Sequence, residues 1–172
     1  MLKFYFVLFL CFALTACGFK LKGYGQVNAL GEQLSPLYLQ LPVDANYFGA
    51  CLTRQLIDAG VKLVDKPEDS LKNNVIHLVV QDFTREKVQL SDNQLSAKEE
   101  YELGLAATAN LTRMQKEESI HLLPPLAMRS TKRMEQDSNQ VNAGQAEEVV
   151  LFAGLQTDLC LQVMRYLQSL PQ

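Results

Sequence analysis

Residues that could carry out chemistry are few in this chain and are far apart in the sequence. The cysteines and histidines are Cys11, Cys17, Cys51, Cys160, His77 and His121. Their spacing matches no zinc-binding pattern, and the sequence has no Gly-x-Ser-x-Gly, His-Glu-x-x-His or phosphate-loop motif. We expect both histidines to be packed, hydrogen-bonded residues. The sequence therefore predicts a protein that is not an enzyme and that uses no cofactor or metal.

Cys17 ends a segment that is typical of a secretory leader. Lys3 precedes an apolar run over residues 4–16, which is 13 residues long, whereas a membrane-spanning helix needs about 20. Residues 14–17 read Leu-Thr-Ala-Cys. This motif resembles the bacterial lipobox, in which the cysteine thiol receives a diacylglycerol and the chain is cut just before it. We therefore predict a signal peptide at residues 1–16 and lipidation of Cys17, rather than a transmembrane anchor.

The composition of the remaining chain is that of one globular domain. Removal of 16 of the 172 residues leaves 156, enough to bury a core of its own. Loss of Lys3 changes the formal net charge from −3 to −4. A nucleic-acid partner therefore has no electrostatic support.

Hydrophobic periodicity predicts strands and helices in a definite order along the mature chain. Strands are expected at residues 37–41, 75–90, 98–114 and 120–129, with a short extended stretch at 61–64 and helices at 47–59 and from 143 or 145 to 167. Asp44 or Asn46 is expected to cap the first helix. The predicted fold is α+β, with two helices packed on one face of a roughly four-stranded, mainly antiparallel sheet. Residues 17–36 would form a lipidated tether and residues 37–172 a single domain.

Residues 98–114 show the longest alternation in the chain. The apolar face is predicted to carry Tyr101, Leu103, Leu105, Ala107, Ala109 and Leu111. The opposite face is polar at one end and small in the middle, with Glu100, Glu102, Gly104, Ala106, Thr108, Asn110 and Thr112. Such a period of two over this length indicates a long strand with one face on a core. Residues 75–83 are apolar on both sides, which favours a central strand that is covered on both faces.

Other predictions concern the remaining cysteines and the chain after Pro124-Pro125. Cys51 and Cys160 lie on predicted helices, where either a disulfide or two buried thiols would be compatible with the sequence, and we favour buried thiols. The tandem prolines predict an edge or bulged strand. A polar loop is expected to follow Arg133 up to residue 142, with Glu147 and Glu148 in the first turn of the last helix.

Residues 17–23 read Cys-Gly-Phe-Lys-Leu-Lys-Gly, which resembles the opening of the lipopolysaccharide (LPS) assembly lipoprotein family LptE. The sequence departs from the family pattern at Lys22, where arginine is usual. The order of predicted elements is also similar to that of the family. Gly18 after the lipidated cysteine is similar to the pattern in enterobacterial lipoproteins of the outer membrane.

The resemblance implies a non-catalytic outer-membrane lipoprotein on the periplasmic side. Such a protein plugs and helps to assemble the LptD β-barrel and helps to deliver LPS to the outer leaflet, so the implied partners are LptD, LPS and the membrane. The alternative is another outer-membrane lipoprotein, either an envelope-assembly scaffold or a lipid-tethered periplasmic enzyme.

Two groups of basic residues could bind the phosphates of lipid A by charge-assisted hydrogen bonds. The first group is Arg129, Lys132 and Arg133, and the second is Arg85 and Lys87. Arg129 matches a basic position near the end of the last strand of the family. We therefore expect these five residues to contribute to LPS binding.

Overall fold

The computed structural model describes residues 27–65, 75–92, 98–115, 118–137 and 141–171. Cys17, the predicted signal peptide and the LptE-like opening motif lie outside this range. The described residues form three helices, α1 (Val27–Leu34), α2 (Asn46–Asp58) and α3 (Val141–Leu167). They also form six strands: β1 (Leu37–Gln40), β2 (Leu63–Val64), β3 (Ile76–Asp92), β4 (Lys98–Gln115), β5 (Glu118–His121) and β6 (Leu126–Asp137).

All six strands belong to one open sheet in which β3 and β4 are the long central pair. The order is β2-β1-β3-β4, and the far edge of β4 pairs with β5 at one end and with β6 along most of its length. β1 is parallel to β2 and to β3, and the other pairs are antiparallel. The predicted α+β class is confirmed, although the sheet is mixed and larger than expected and a third helix is present.

α2 and α3 cover one face of the sheet, and the core lies between them and the strands. The predicted alternation of β4 is confirmed, because Leu103, Leu105 and Leu111 are fully buried on the helix side. Fully buried helix residues complete this core, and the largest are Phe48, Leu52, Leu56, Leu155 and Leu159. We call this side of the sheet the helix face and the opposite side the outer face.

The helix α1 was not expected, because its residues fall within the predicted tether. Leu30 and Leu34 are buried in the core. Gly31 lies so close to the end of α2 that a Cβ atom there would be 2.7 Å from the carbonyl oxygen of Gly60. Gly60 itself has φ +79°, a conformation that favours glycine. The packed part of the chain therefore begins before residue 37.

A disulfide and a hydrogen bond join α2 to α3. Each of them shows that a prediction from the sequence was wrong. Cys51 and Cys160 form a disulfide with their Cα atoms 6.2 Å apart, so the expectation of two free buried thiols is wrong. Ala45 occupies the N-cap position of α2 without a side-chain hydrogen bond, so neither Asp44 nor Asn46 caps it. Instead the Phe48 N–H donates to Oε1 of Gln156, a buried residue of α3, at 3.0 Å.

A bulge divides β3 into two halves that present different residues to the helices. Gln81 lies opposite Thr108 and Thr84 opposite Ala106, so β3 has one residue more than β4 in this interval. Asp82 adopts φ 56° at this point. Since alternate residues of a strand point to opposite faces, one extra residue exchanges the faces. Before the bulge the even-numbered residues face the helices, and after it the odd-numbered ones do as far as Gln89, where a second bulge follows.

The chain after the tandem prolines also differs from the prediction. β6 runs to Asp137 along β4, so the expectation of a polar loop after Arg133 is wrong for residues 134–137. The Tyr166 hydroxyl of α3 donates to the Pro124 carbonyl at 2.9 Å and holds the link between β5 and β6. The first turn of α3 has no acidic residue, because the helix begins at Val141 rather than at residue 143 or 145.

Candidate interaction surfaces

The outer face of the sheet carries an ion pair that crosses β4 above a glycine. The Arg129 guanidinium of β6 donates to a Glu86 carboxylate oxygen of β3 at 2.9 Å. Between them lies Gly104, where a Cβ atom would be 3.3 Å from that oxygen and 3.8 Å from the Arg129 nitrogen. A larger residue would push against the pair, which explains a glycine in the middle of a long strand. Around it the face continues with small and polar residues, including Ala106 and Thr108.

The helix face has a cleft behind this ion pair, where α3 extends beyond α2, and Glu86 contributes to its lining as well. Its volume is about 620 Å³. The floor comes from β3 and β6, one wall from α3, and the end from the start of α2. The residues that define this cleft are Tyr47, Arg85, Lys87, Gln136, Glu148, Val149, Phe152 and Gln156. Tyr47 and Val149 are large apolar residues at this site, with 60% and 63% of their surface exposed.

Arg85 and Lys87 lie together on the floor of this cleft, as a result of the bulge in β3. The Arg85 guanidinium lies 5.5 Å from the centre of the Phe152 ring and donates to the Asp44 carbonyl at 3.1 Å. The Lys87 ammonium is 2.6 Å from a Glu148 carboxylate oxygen. It also lies 4.4 Å from the centre of the Tyr101 ring. Both cations therefore sit against aromatic rings, a favourable electrostatic contact.

The first predicted basic group is divided between the two faces of the sheet. Arg129 and Arg133 are exposed on the outer face, because odd-numbered residues of β6 point away from the helices. Lys132 points to α3, where its ammonium is 3.6 Å from the Asp158 carboxylate. The five basic residues thus form two sets, with Arg129 and Arg133 outside and Arg85, Lys87 and Lys132 on the helix side.

His77 lies on the outer face of the first half of β3. Its ring makes an edge contact with Tyr38, with the centroids 5.3 Å apart. Burial lowers the pKa of His77 below its usual value. Its Nε2 atom is buried and makes no hydrogen bond within the described part of the chain, contrary to the expectation of a hydrogen-bonded imidazole. The strand is therefore covered fully on the helix side only, since His77 and Val79 are half-buried.

Two classes of feature are absent from the residues that the structure describes. No group of three or more histidine, cysteine, aspartate or glutamate side chains could hold a metal ion there. Within the same residues, no helix has both the length and the apolar character that a membrane crossing requires.

Sequence reasoning did not identify several residues of these two surfaces. Among them are Glu86, which forms the outer-face ion pair with Arg129, and Phe152, which forms the wall of the cleft. Gly104, which lies between the paired charges, was expected on the small and polar face of its strand. Gly104 did carry a signal, because glycine is unfavourable in a strand interior unless something lies close to it. Phe152 carried none, because its place in the apolar stripe of α3 is equally typical of a core residue.

Comparison with solved structures finds the same fold in three bacterial lipoproteins. A minor lipoprotein from Acinetobacter baumannii is similar with TM-score 0.62 and 23% identity, over 78% of this chain and 92% of that one. Rare lipoprotein B from Shewanella oneidensis is similar with TM-score 0.56 and 16% identity, over 77% and 93%. The uncharacterized lipoprotein B from Nitrosomonas europaea is similar with TM-score 0.52 and 21% identity, over 75% and 79%.

No family model and no curated protein sequence matches this chain. At 16–23% identity, the structural likeness establishes the fold.

Proposed function

We propose that this protein is a non-catalytic outer-membrane lipoprotein of the LptE type, anchored through Cys17 on the periplasmic side. One observation carries the proposal: a chain with a lipobox and an LptE-like opening has a fold that is found in three bacterial lipoproteins. In this role it plugs and helps to assemble the LptD β-barrel, and it helps to deliver LPS to the outer leaflet.

The outer face of the sheet supports the proposed contact with a barrel. The interior of a transmembrane barrel is polar, so a plug needs a polar surface. The outer face provides small residues that allow close approach, and the charges of Glu86 and Arg129 are already paired. Because an exposed ion pair contributes only about 0–1 kcal/mol to stability, folding alone gives little reason for this pair. Because Glu86 and Arg129 are paired with each other, neither would be buried against a partner as an unpaired charge.

The proposed complex is tested by extracting the full chain from membranes in mild detergent. We expect a large β-barrel to be recovered in stoichiometric amount. Ala106→Arg places a bulky charge on the outer face and should abolish the recovery, whereas Leu161→Arg on the exposed side of α3 should not. Loss of the barrel from both variants, or from neither, would remove the outer face from the proposal. Absence of any barrel from the wild type would favour another lipoprotein role.

The proposed role in LPS delivery has a separate test, in which the chain is depleted from cells. LPS should then fail to reach the cell surface, and the barrel should accumulate in an immature form. Normal export and normal barrel maturation after depletion would refute the proposal.

The proposed contribution of the basic residues to LPS binding can be tested on each face. We expect the double charge reversal Arg129→Glu with Arg133→Glu to weaken LPS binding by the full chain. Lys132→Glu, on the opposite face of the same strand, is the matched control. Equal effects of both variants would mean that the outer face is not the LPS contact.

The proposed anchor depends on the thiol of Cys17. Cys17→Ala should abolish the incorporation of labelled palmitate and release the protein from the membrane fraction. A Cys17→Ala protein that is still labelled by palmitate would contradict the lipobox interpretation.

A further inference from the structure

Among the described residues, the second half of β3 has one edge without a partner strand, which we call the open edge. β1 pairs with β3 only opposite residues 76–79. Residues 84–92 pair with β4 on one side, and no strand of the described residues pairs with them on the other. Unpaired backbone N–H and C=O groups along such an edge form a template for a further strand.

This edge has limited protection against strand addition, because a second bulge interrupts it only near its end, between Gln89 and Ser91. Proteins commonly protect an edge with charged side chains or proline. Here the charged side chains are engaged elsewhere on the protein: Arg85 with the Asp44 carbonyl, Glu86 with Arg129, and Lys87 with Glu148. Further along, Val88 and Leu90 are uncharged and 51% and 43% exposed. The edge is therefore both open and partly apolar.

The cleft on the helix face begins at this same edge, because its floor includes Arg85 and Lys87 of β3. In an added strand, every second side chain would point to the helix side. Those side chains would enter the cleft, against Val149 and Phe152 of α3. Recognition by strand addition works in this way: the backbone ladder supplies affinity, and a cleft for alternate side chains supplies specificity.

The cleft is lined by two basic residues, Arg85 and Lys87, and by three acidic residues, Asp44, Glu86 and Glu148. Glu86 is paired with Arg129 on the outer face. Lys87 is already paired with Glu148. Arg85 donates to a backbone carbonyl and stacks on Phe152, but it has no carboxylate partner among the described residues. A carboxylate on the incoming segment would satisfy Arg85, and a neighbouring aliphatic side chain would cover the exposed Val149.

We propose that residues 84–89 of β3, which lie between the two bulges of the strand, bind an extended polypeptide segment of a partner as an additional strand. The side chains of that segment on the helix side include one carboxylate, which pairs with Arg85, and an aliphatic residue two positions away, which packs on Phe152 and Val149. This inference goes beyond the proposed function and holds whether or not a barrel or LPS is bound elsewhere.

The test uses the full chain in mild detergent and a fluorescent heptapeptide of alternating threonine and valine, in which glutamate replaces the central valine. We expect saturable binding. Arg85→Gln should weaken it about tenfold, as expected for loss of a charge-assisted hydrogen bond. The control Arg54→Gln, at an exposed position of α2, should leave it unchanged. A control peptide has the same composition, but its glutamate lies on the threonine face. It should bind to the wild-type protein as weakly as the original peptide binds to the Arg85→Gln variant.

A second variant and a second readout separate strand addition from other modes of binding. Val88→Lys places a charge at the open edge but outside the cleft. It should weaken peptide binding by a factor similar to that expected for Arg85→Gln. Peptide binding should also slow the hydrogen exchange of alternate backbone amides in residues 84–89.

Three outcomes would overturn the proposal. The first is the absence of saturable binding up to about 1 mM peptide. The second is peptide binding without slower amide exchange. The third is stronger, Arg85-dependent binding of oleate in place of the peptide, which would identify the cleft as a lipid site.

Discussion

The two halves of the long hairpin β3–β4 have opposite environments. Before the bulge, Ile76, Leu78 and Val80 are buried beneath the helices. After it, residues 84–90 of β3 are all exposed, and their contacts are ion pairs, a carbonyl and an aromatic ring. The first half thus stabilises the fold, while the second half holds the open edge and the cleft. One strand can serve both purposes because a single extra residue separates them.

The largest contrast should come from equivalent truncations in the two halves. Leu78→Ala removes a fully buried side chain and should lower the free energy of unfolding by about 2–5 kcal/mol. Val88→Ala, in the exposed half, should change it by no more than about 0.5 kcal/mol. Urea unfolding monitored by circular dichroism measures both values. Similar losses would mean that the two halves are not divided as the structure indicates.

The disulfide between α2 and α3, the helices that cover the first half of β3, should have the next largest effect on the free energy of unfolding. It joins residues that are 109 positions apart, so it strongly restricts the unfolded chain. Replacement of both cysteines by alanine should lower the unfolding free energy by about 2–4 kcal/mol. Reduction of the wild-type protein with dithiothreitol should reproduce the loss, and the alanine variant should not respond to the reductant. A response of that variant would show that the reductant acts elsewhere.

A smaller loss of stability is expected when Gln156 is replaced. The side chain of this α3 residue accepts the Phe48 N–H near the start of α2. Gln156→Leu would leave the buried Phe48 N–H without its acceptor, a cost of about 1–3 kcal/mol. The neighbouring Thr157→Ala is the control, because that hydroxyl is exposed and donates to the carbonyl of Ala153 within its own helix. Thermal unfolding of the two variants measures the difference. Equal midpoints would exclude a capping role for Gln156.

The smallest effect should be the pH dependence that His77 contributes. Burial lowers the pKa of His77 in the folded protein, so the unfolded chain takes up the proton first as the pH falls. Stability should therefore decrease as the pH falls below about 6.5, the usual histidine value. His77→Gln should reduce this dependence, whereas His121→Gln, at an exposed position, is the control. The unfolding midpoint measured between pH 7 and pH 5 provides the readout.

The sequence predicted the parts of the fold in which a hydrophobic period continues without interruption. The period of two in β4 gave the correct buried face because apolar residues occupy nearly every second position. In β3 the same reasoning stopped at Phe83, because residues 84–87 are all polar or charged and carry no record of the bulge. The face of Arg85 and Lys87 therefore could not be predicted. The extent of β6 did have a signal, since Met128 and Met134 are both buried and are separated by an even number of positions.

Other features depend on distances that a sequence does not contain. The pairing of Cys51 with Cys160 requires the two helices to approach, and no local pattern records that approach. The cap of α2 comes from Gln156, which is 108 positions away from Phe48. The division of Arg129 and Lys132 between two faces follows from β6 continuing as a strand beyond Arg129, where the predicted strand ended. In each case, tertiary packing replaced a local interaction that the sequence had suggested.

The most direct test of the central claim is site-specific photo-crosslinking in intact cells. A crosslinker at Thr131 would report on the outer face, and one at Thr157 on the helix side, since both positions are exposed. We predict that Thr131 crosslinks to a large outer-membrane β-barrel and that Thr157 does not. Crosslinking to the barrel from Thr157 alone, or from neither position, would contradict the account.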